Sequence, residues 1–287
     1  MKKYIIILML LLISNPSVFS SNSSLLETNE TIYATYEDNC IPSTQSYQPG
    51  EKLEYKVYYN WKFTWLTAGT VTFEVLSDLW QGREVWHTRA IGKTLRAYEW
   101  FYKVYDQYES YLDPFTNKPV HFIRNVNEGG YTMNNEYTFD HEQQEVHLDY
   151  IKTQGEIRRE NETLPINPCT HDMLSAIYQT RNIDYSQYLV GDIISLEVFM
   201  DGRIQEIHIQ YAGIEEIKTK LGKFDAIKLH PSLHESYLFE GGEKMTIWAT
   251  NDANKIPLMI EAPLKVGFVK AILHDYDELA YTLTSKK

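Results

Sequence analysis

Three small groups of histidines and acids have spacings that metal binding or acid–base chemistry would use. His230 and His234 lie four apart with Glu235 beside them. On a helix that spacing sets two imidazoles on one face, as a zinc site requires. Pro231 between them and the following Gly241-Gly242 argue against a helix, so the pair reads as loop histidines. Glu145, His147 and Asp149 alternate along an extended segment and would share one strand face. The solvent side of any half-buried hairpin looks the same, and we read them that way. Asp252 and Asn254 have the oxygen spacing of a calcium loop without its glycine or its later glutamate. They read as a turn braced by side-chain hydrogen bonds. Glu215 and Glu216 are consecutive, point to opposite sides of a strand and cannot flank one glycosidic bond.

The chain has no GxSxG, no phosphate-binding loop, no GxGxxG and no HExxH. Catalytic residues, metal ligands and cofactors are therefore not assigned. Carboxylates that meet from distant strands would leave no trace in the sequence.

The stretch most able to make a binding surface is Tyr55 to Gly69, YKVYYNWKFTWLTAG. Every second residue from Tyr55 to Trp65 is Tyr, Val, Tyr, Trp, Phe and Trp, while the alternate positions are mostly polar. A strand with that pattern carries an aromatic ladder on one face. Tyr55, Val57 and Tyr59 are expected in the core. Trp61, Phe63 and Trp65 are expected nearer a cavity mouth, where they would contact a ligand, because Asn60, Lys62 and Thr64 favour solvent or break the strand.

The elements around that ladder are mostly strands. Tyrosine is frequent, at 22 residues, and aromatics reach 14% of the chain, a composition that favours sheets. Asp201-Gly202, between Ile193–Met200 and Arg203–Tyr211, is the strongest hairpin signal. A turn is expected at Asp78 to Gly82, and another at Leu221 to Lys223. One helix is expected at about residues 170–182, with Thr170 as N-cap, Asp172 at the positive start and Arg181 at the end. Met173, Leu174, Ile177 and Tyr178 form its apolar stripe. The expected fold is all-β and mainly antiparallel, a single barrel-like or strongly curved sheet with one central helix.

Lys2, Lys3, the apolar run Ile5 to Ile13 and Val18-Phe19-Ser20 read as a secretory signal peptide over residues 1–20. Nine apolar residues are too few to span a bilayer, and no transmembrane segment is expected after its removal. Residues 21–48 read as a flexible polar leader, and 49–287 as a single antiparallel β-barrel-like domain. Loss of Lys2 and Lys3 makes the formal charge of -12 two units more negative. Such a surface repels phosphate backbones, so nucleic acid is not an expected partner. Cys40 and Cys169 are the two cysteines of an exported chain and are expected to pair.

The segments PGEKLEYKVYYNW, TAGT, DQYESYLDP, FIRNVNEGGY, NPCTHDMLSAIYQTRNIDY, LGKFDAIKLHP and NDANKIPLMIEAPLKVGFVKAIL run from Gly50 to near Asp275. Together they resemble the domain of unknown function 3108 family, exported proteins of Gram-negative bacteria. The resemblance implies an antiparallel barrel-like fold of the cell envelope and carries no catalytic residues. The function expected from all of this is a periplasmic, non-enzymatic protein that binds or presents an envelope lipid or glycan through an aromatic-lined barrel. The alternatives are an envelope polysaccharide hydrolase with carboxylates from separate strands, or a ligand-free structural partner of an envelope complex.

Overall fold

The computed structural model describes residues 33–34, 44–61, 64–100, 102–233, 244–264 and 267–287. Trp61 ends a strand and its side chain is not described; Phe63 and Cys40 lie outside the described residues.

The strands run in chain order as β1 (Tyr33–Ala34), β2 (Lys52–Trp61), β3 (Thr64–Trp80), β4 (Arg83–Thr94), β5 (Tyr105–Leu112), β6 (Pro119–Glu128), β7 (Tyr131–Asp140), β8 (Glu145–Thr153) and β9 (Glu156–Pro165). The helix α1 (Met173–Asn182) follows. Then come β10 (Ile193–Met200), β11 (Arg203–Thr219), β12 (Gly222–Ser232), β13 (Thr246–Thr250), β14 (Pro257–Pro263) and β15 (Phe268–Asp277). Two meanders, β2 to β9 and β10 to β15, become one sheet because β15 pairs antiparallel with β2. Among the described residues, β1 pairs parallel with β10, and a lone parallel bridge joins His171 to Val198. The sheet curves strongly and does not close, ending at β9 and β1.

Alternation explains which face turns inward. Leu53, Tyr55 and Val57 of β2 are buried, and Tyr108, Ser110 and Leu112 of β5 likewise. Tyr59 is only half-buried, short of the core position expected for it. Asp201 and Gly202 both have positive φ, so β10 and β11 join through the two-residue turn that Asp-Gly favours. The β3–β4 hairpin closes more tightly than the expected Asp78–Gly82 turn. Gln81 and Gly82 alone make it, with φ of 48° and 79°, and pairing continues through Trp80 and Arg83.

Helix α1 packs inside the curve against β4, β5 and β10. Its N-cap is Asp172, a correction to Thr170. The Asp172 carboxylate accepts from the N–H groups of Leu174 and Ser175 at 2.7 and 2.9 Å, and the Ser175 hydroxyl accepts from the Asp172 N–H. Asp172 has extended backbone angles, so helical turns start only at Met173. Thr170 instead accepts from the Asn167 N–H and donates to Glu197.

The N-terminal leader was expected to reach Gln48, yet Ser46 and Tyr47 are already fully buried. Ser46 donates to the Arg181 carbonyl at 2.6 Å and the Tyr47 hydroxyl donates to Asn117 at 2.8 Å. Polar composition hid this because the partners are backbone and amide groups far away in the chain. The edge strand β9 was not expected at all. Its EIRRENETLP sequence has no apolar alternation, since neither face is buried.

Candidate functional site

Between α1 and the inner face of the sheet lies an apolar cavity of about 160 Å³. Its walls come from both meanders: Tyr55 of β2, Phe73 of β3, Ile209 of β11, Leu229 of β12, Ile247 of β13 and Ala271 of β15 face Ala176 and Ile177 of α1. The helix is held at this distance by polar pins at both ends. At its start, the Ser110 hydroxyl donates to the Asp172 carboxylate at 2.5 Å. Burial pushes the Asp172 carboxyl up to about 6, against the pull of its hydrogen bonds from Ser110, Ser175 and Leu174. At its end, Arg181 donates to both Glu51 oxygens at 2.5 and 2.8 Å. It also donates to the carbonyls of Ser46 and Asn254, at 3.0 Å each.

The polar groups on the wall are few. Tyr55 is satisfied by donation to the Pro257 carbonyl at 2.8 Å. Tyr178 is 2% exposed, and its buried hydroxyl has no hydrogen-bond partner among the described residues. Buried hydroxyls are normally satisfied, so Tyr178 is an exception on a residue of this wall. Arg181 is occupied by Glu51 and by the Ser46 and Asn254 carbonyls. Lys255 is half-buried on the same wall, without an ion pair among the described residues, and burial lowers its pKa.

Of the three aromatics expected to bind, Trp65 alone has a described side chain. Trp65 is 43% exposed on β3 and is not part of the cavity wall. The Lys270 ammonium lies over its ring, 4.9 Å from the centroid. Trp61 and Phe63 contribute no described side chain. Tyr55, expected as plain core, does line the cavity. The wall residues of β11 to β15 were missed because each is an ordinary strand apolar; only their convergence on α1 sets them apart.

The groups weighed for chemistry resolve as follows. Asp252 braces a turn, accepting from the Asn254 N–H at 3.0 Å and from Thr250 and Ser285 hydroxyls. The His230 Nδ1 lies 3.1 Å from the Met245 carbonyl, and His234 lies outside the described residues. Glu215 accepts from the Trp248 indole and from Lys228, while Glu216 pairs with Lys223 and Lys287.

A strongly curved antiparallel sheet wrapped on one helix and an apolar cavity defines a β-barrel-like protein. The chain belongs to the family described as Protein of unknown function (DUF3108), which matches residues 54–274. Among solved structures, it is similar to a beta-barrel-like protein of domain of unknown function DUF1849 from Brucella abortus. The two are 10% identical, with 79% of this chain and 96% of that chain covered and a TM-score of 0.48. A protein described as exported, with a YmcC-like fold, from Bacteroides fragilis is also 10% identical. That match covers 83% of this chain and 100% of the other, at a TM-score of 0.29. No curated protein matches the chain. Among the described residues no helix is long and apolar enough to cross a membrane.

Proposed function

We propose that this is a periplasmic protein, exported by its residues 1–20, that holds the apolar end of an envelope lipid between α1 and the sheet and catalyses no reaction. One observation carries the reading: among the described residues the cavity wall is mostly aliphatic and aromatic, with a single unpaired hydroxyl and one unpaired lysine. A sugar needs many converging hydrogen-bond groups, which this wall lacks; a hydrocarbon chain needs none.

The volume limits what enters. A dry engineered cavity of about 150 Å³ binds benzene, so the cavity as it stands takes roughly a six-carbon apolar fragment. That is the tip of an acyl chain, not a whole lipid. Lys255 suits an anionic head at the other end of a single-chain amphiphile. The continuous sheet, with β15 closing onto β2, supports reading residues 49–287 as one domain. The acidic composition fits a partner other than nucleic acid.

Native mass spectrometry of the protein purified from its host envelope tests this. One amphiphile-sized adduct per chain, released by organic solvent, is the expected result. A bare chain, or a chain carrying an oligosaccharide, contradicts it.

A further inference from the structure

On the outer face of the sheet, opposite α1 and its cavity, three neighbouring strands bring His121, Glu136 and Asp149 together. One donor atom of each lies within 4.8 Å of the others. Adjacent strands place residues of one face near each other, and the register through Thr138–His147 and Tyr137–Leu148 carries Asp149 up to Glu136, where the ladder is interrupted. Glu136 pairs with Tyr150 and Tyr137 pairs with Leu148, which leaves Asp149 as the extra residue of a bulge in β8. Bulges of this kind re-aim a side chain. The bulge also turns Tyr150 out of the inward row.

The hydrogen bonds fix where the protons are. The Thr138 hydroxyl has a single hydrogen and donates it to Asp149 Oδ2, at 3.2 Å. Towards His121 Nδ1, also at 3.2 Å, Thr138 can therefore only accept, so Nδ1 carries the ring proton. In the neutral imidazole Nε2 is then a bare lone pair. It faces Glu136 Oε1 at 3.4 Å, lone pair towards carboxylate. Trp80 stacks on the imidazole at 5.4 Å, and His121 is 8% exposed, so the ring cannot swing away into solvent.

In that tautomer His121 Nε2 and the Glu136 carboxylate present electron pairs to one point, and Asp149 reaches it from the third strand. The neighbouring histidine shows the contrast. His87 has a carboxylate at each nitrogen, Asp78 at 3.3 Å and Glu109 at 2.7 Å, and Glu109 is already engaged by Gln107. We propose that His121 Nε2, Glu136 and Asp149 bind a divalent first-row transition ion of the zinc type, with Thr138 holding His121 and Asp149 in place. Tetrahedral zinc with bonds of about 2.0–2.2 Å separates its donors by roughly 3.3–3.6 Å, and the His121–Glu136 gap already matches. One imidazole with two carboxylates is a set that zinc or manganese takes more readily than magnesium, which keeps its waters. A histidine whose other nitrogen is hydrogen-bonded is the usual arrangement at such centres. Sequence reading placed Asp149 with Glu145 and His147 along one strand. The structure groups it across strands instead.

Chelator-stripped mature protein titrated with Zn²⁺ tests the site, with His147→Ala as a control because His147 shares the face but not the cluster. One zinc per chain is expected, undisturbed by excess Mg²⁺. His121→Ala and Glu136→Gln should each weaken it at least about tenfold, and Thr138→Val by about 10–100-fold, the usual range for a supporting partner. Co²⁺ added to the wild-type protein should give the visible absorption of a low-coordinate nitrogen–oxygen site, a readout that needs no variant to fold. Absence of stoichiometric zinc and of the cobalt band overturns the proposal. So does binding that survives in Glu136→Gln and is lost in His147→Ala.

Discussion

Arg181 at the last turn of α1 lays two guanidinium nitrogens on the Glu51 carboxylate, at 2.5 and 2.8 Å, with both side chains at most 3% exposed. This buried pair ties the helix to the start of β2 and, through the Asn254 carbonyl, to the loop before β14. It therefore joins the first meander, the second meander and the helix across the cavity. Removing one partner leaves an uncompensated buried charge, so Glu51→Ala should cost about 3–5 kcal/mol. Replacing both partners with apolar residues of similar size should cost much less. Urea melts of the single and double variants measure the difference, and equal losses in both would remove the pair from this role.

Asp106 supplies a pH signature. It is 2% exposed, and burial pushes its carboxyl up to about 7 against the pull of the Asn127 N–H and Arg124. A folded pKa above the unfolded value means that the native chain keeps a proton which the unfolded chain has released. Between about pH 4 and 7 that contribution to stability falls as pH rises. Asp106→Asn should remove the slope, so the variant should gain on the wild type by a few kcal/mol, in order of magnitude, from about pH 4.5 to about pH 8. Denaturation midpoints at both pH values check it; parallel curves would place the titration elsewhere.

The expected bridge between Cys40 and Cys169 is a prediction that chemistry can check; Cys169 is the one cysteine among the described residues, and it is not free. A bridge closing a loop of over a hundred residues contributes about 4–5 kcal/mol in the chain-entropy description. Non-reducing peptide mapping should recover one cross-linked peptide, and reduction should lower the melting temperature. Two alkylatable thiols in undamaged periplasmic protein would refute the pairing.

Trp65 and Tyr55 began on the same aromatic ladder and now predict opposite behaviour. Trp65→Ala removes an exposed ring and one cation–π contact, a loss of about 0.5–1 kcal/mol, and should leave lipid retention unchanged. Tyr55→Ala opens the cavity wall and should cost about 3–5 kcal/mol. Thermal melts combined with adduct measurement separate them. Loss of the lipid in Trp65→Ala would return the binding site to the strand tip.

What the sequence disclosed was whatever depends on periodicity and turn chemistry. The β2 alternation, the Asp201-Gly202 hairpin and the apolar stripe of α1 are all local, and each was legible. The helix start was misplaced by two residues because Thr170 and Asp172 are equally good caps in the abstract; Ser110, from β5, decides between them. β9 was invisible because an exposed edge strand has no buried face to pattern. The cavity was invisible for the opposite reason, since Ile209, Leu229 and Ala271 look like any core residues until the sheet curves. The outer-face cluster depends on the pairing of β6, β7 and β8, which sets His121, Glu136 and Asp149 together, and no one-strand spacing reports that.

The central claim is that the space between α1 and the sheet takes a hydrocarbon chain. Ala176 on the helix and Ala249 on β13 stand on that wall, and enlarging either to leucine fills the space from one side. The direct measurement is fluorescence titration with N-phenyl-1-naphthylamine, an apolar probe that brightens out of water, on delipidated wild-type, Ala176→Leu and Ala249→Leu proteins. Saturable one-site binding by the wild type, at least tenfold weaker in both variants while their melting temperatures stay within a few degrees, is the predicted result. That tenfold loss corresponds to about 1.4 kcal/mol. Equal binding by all three folded proteins, or none by the wild type, would contradict the account.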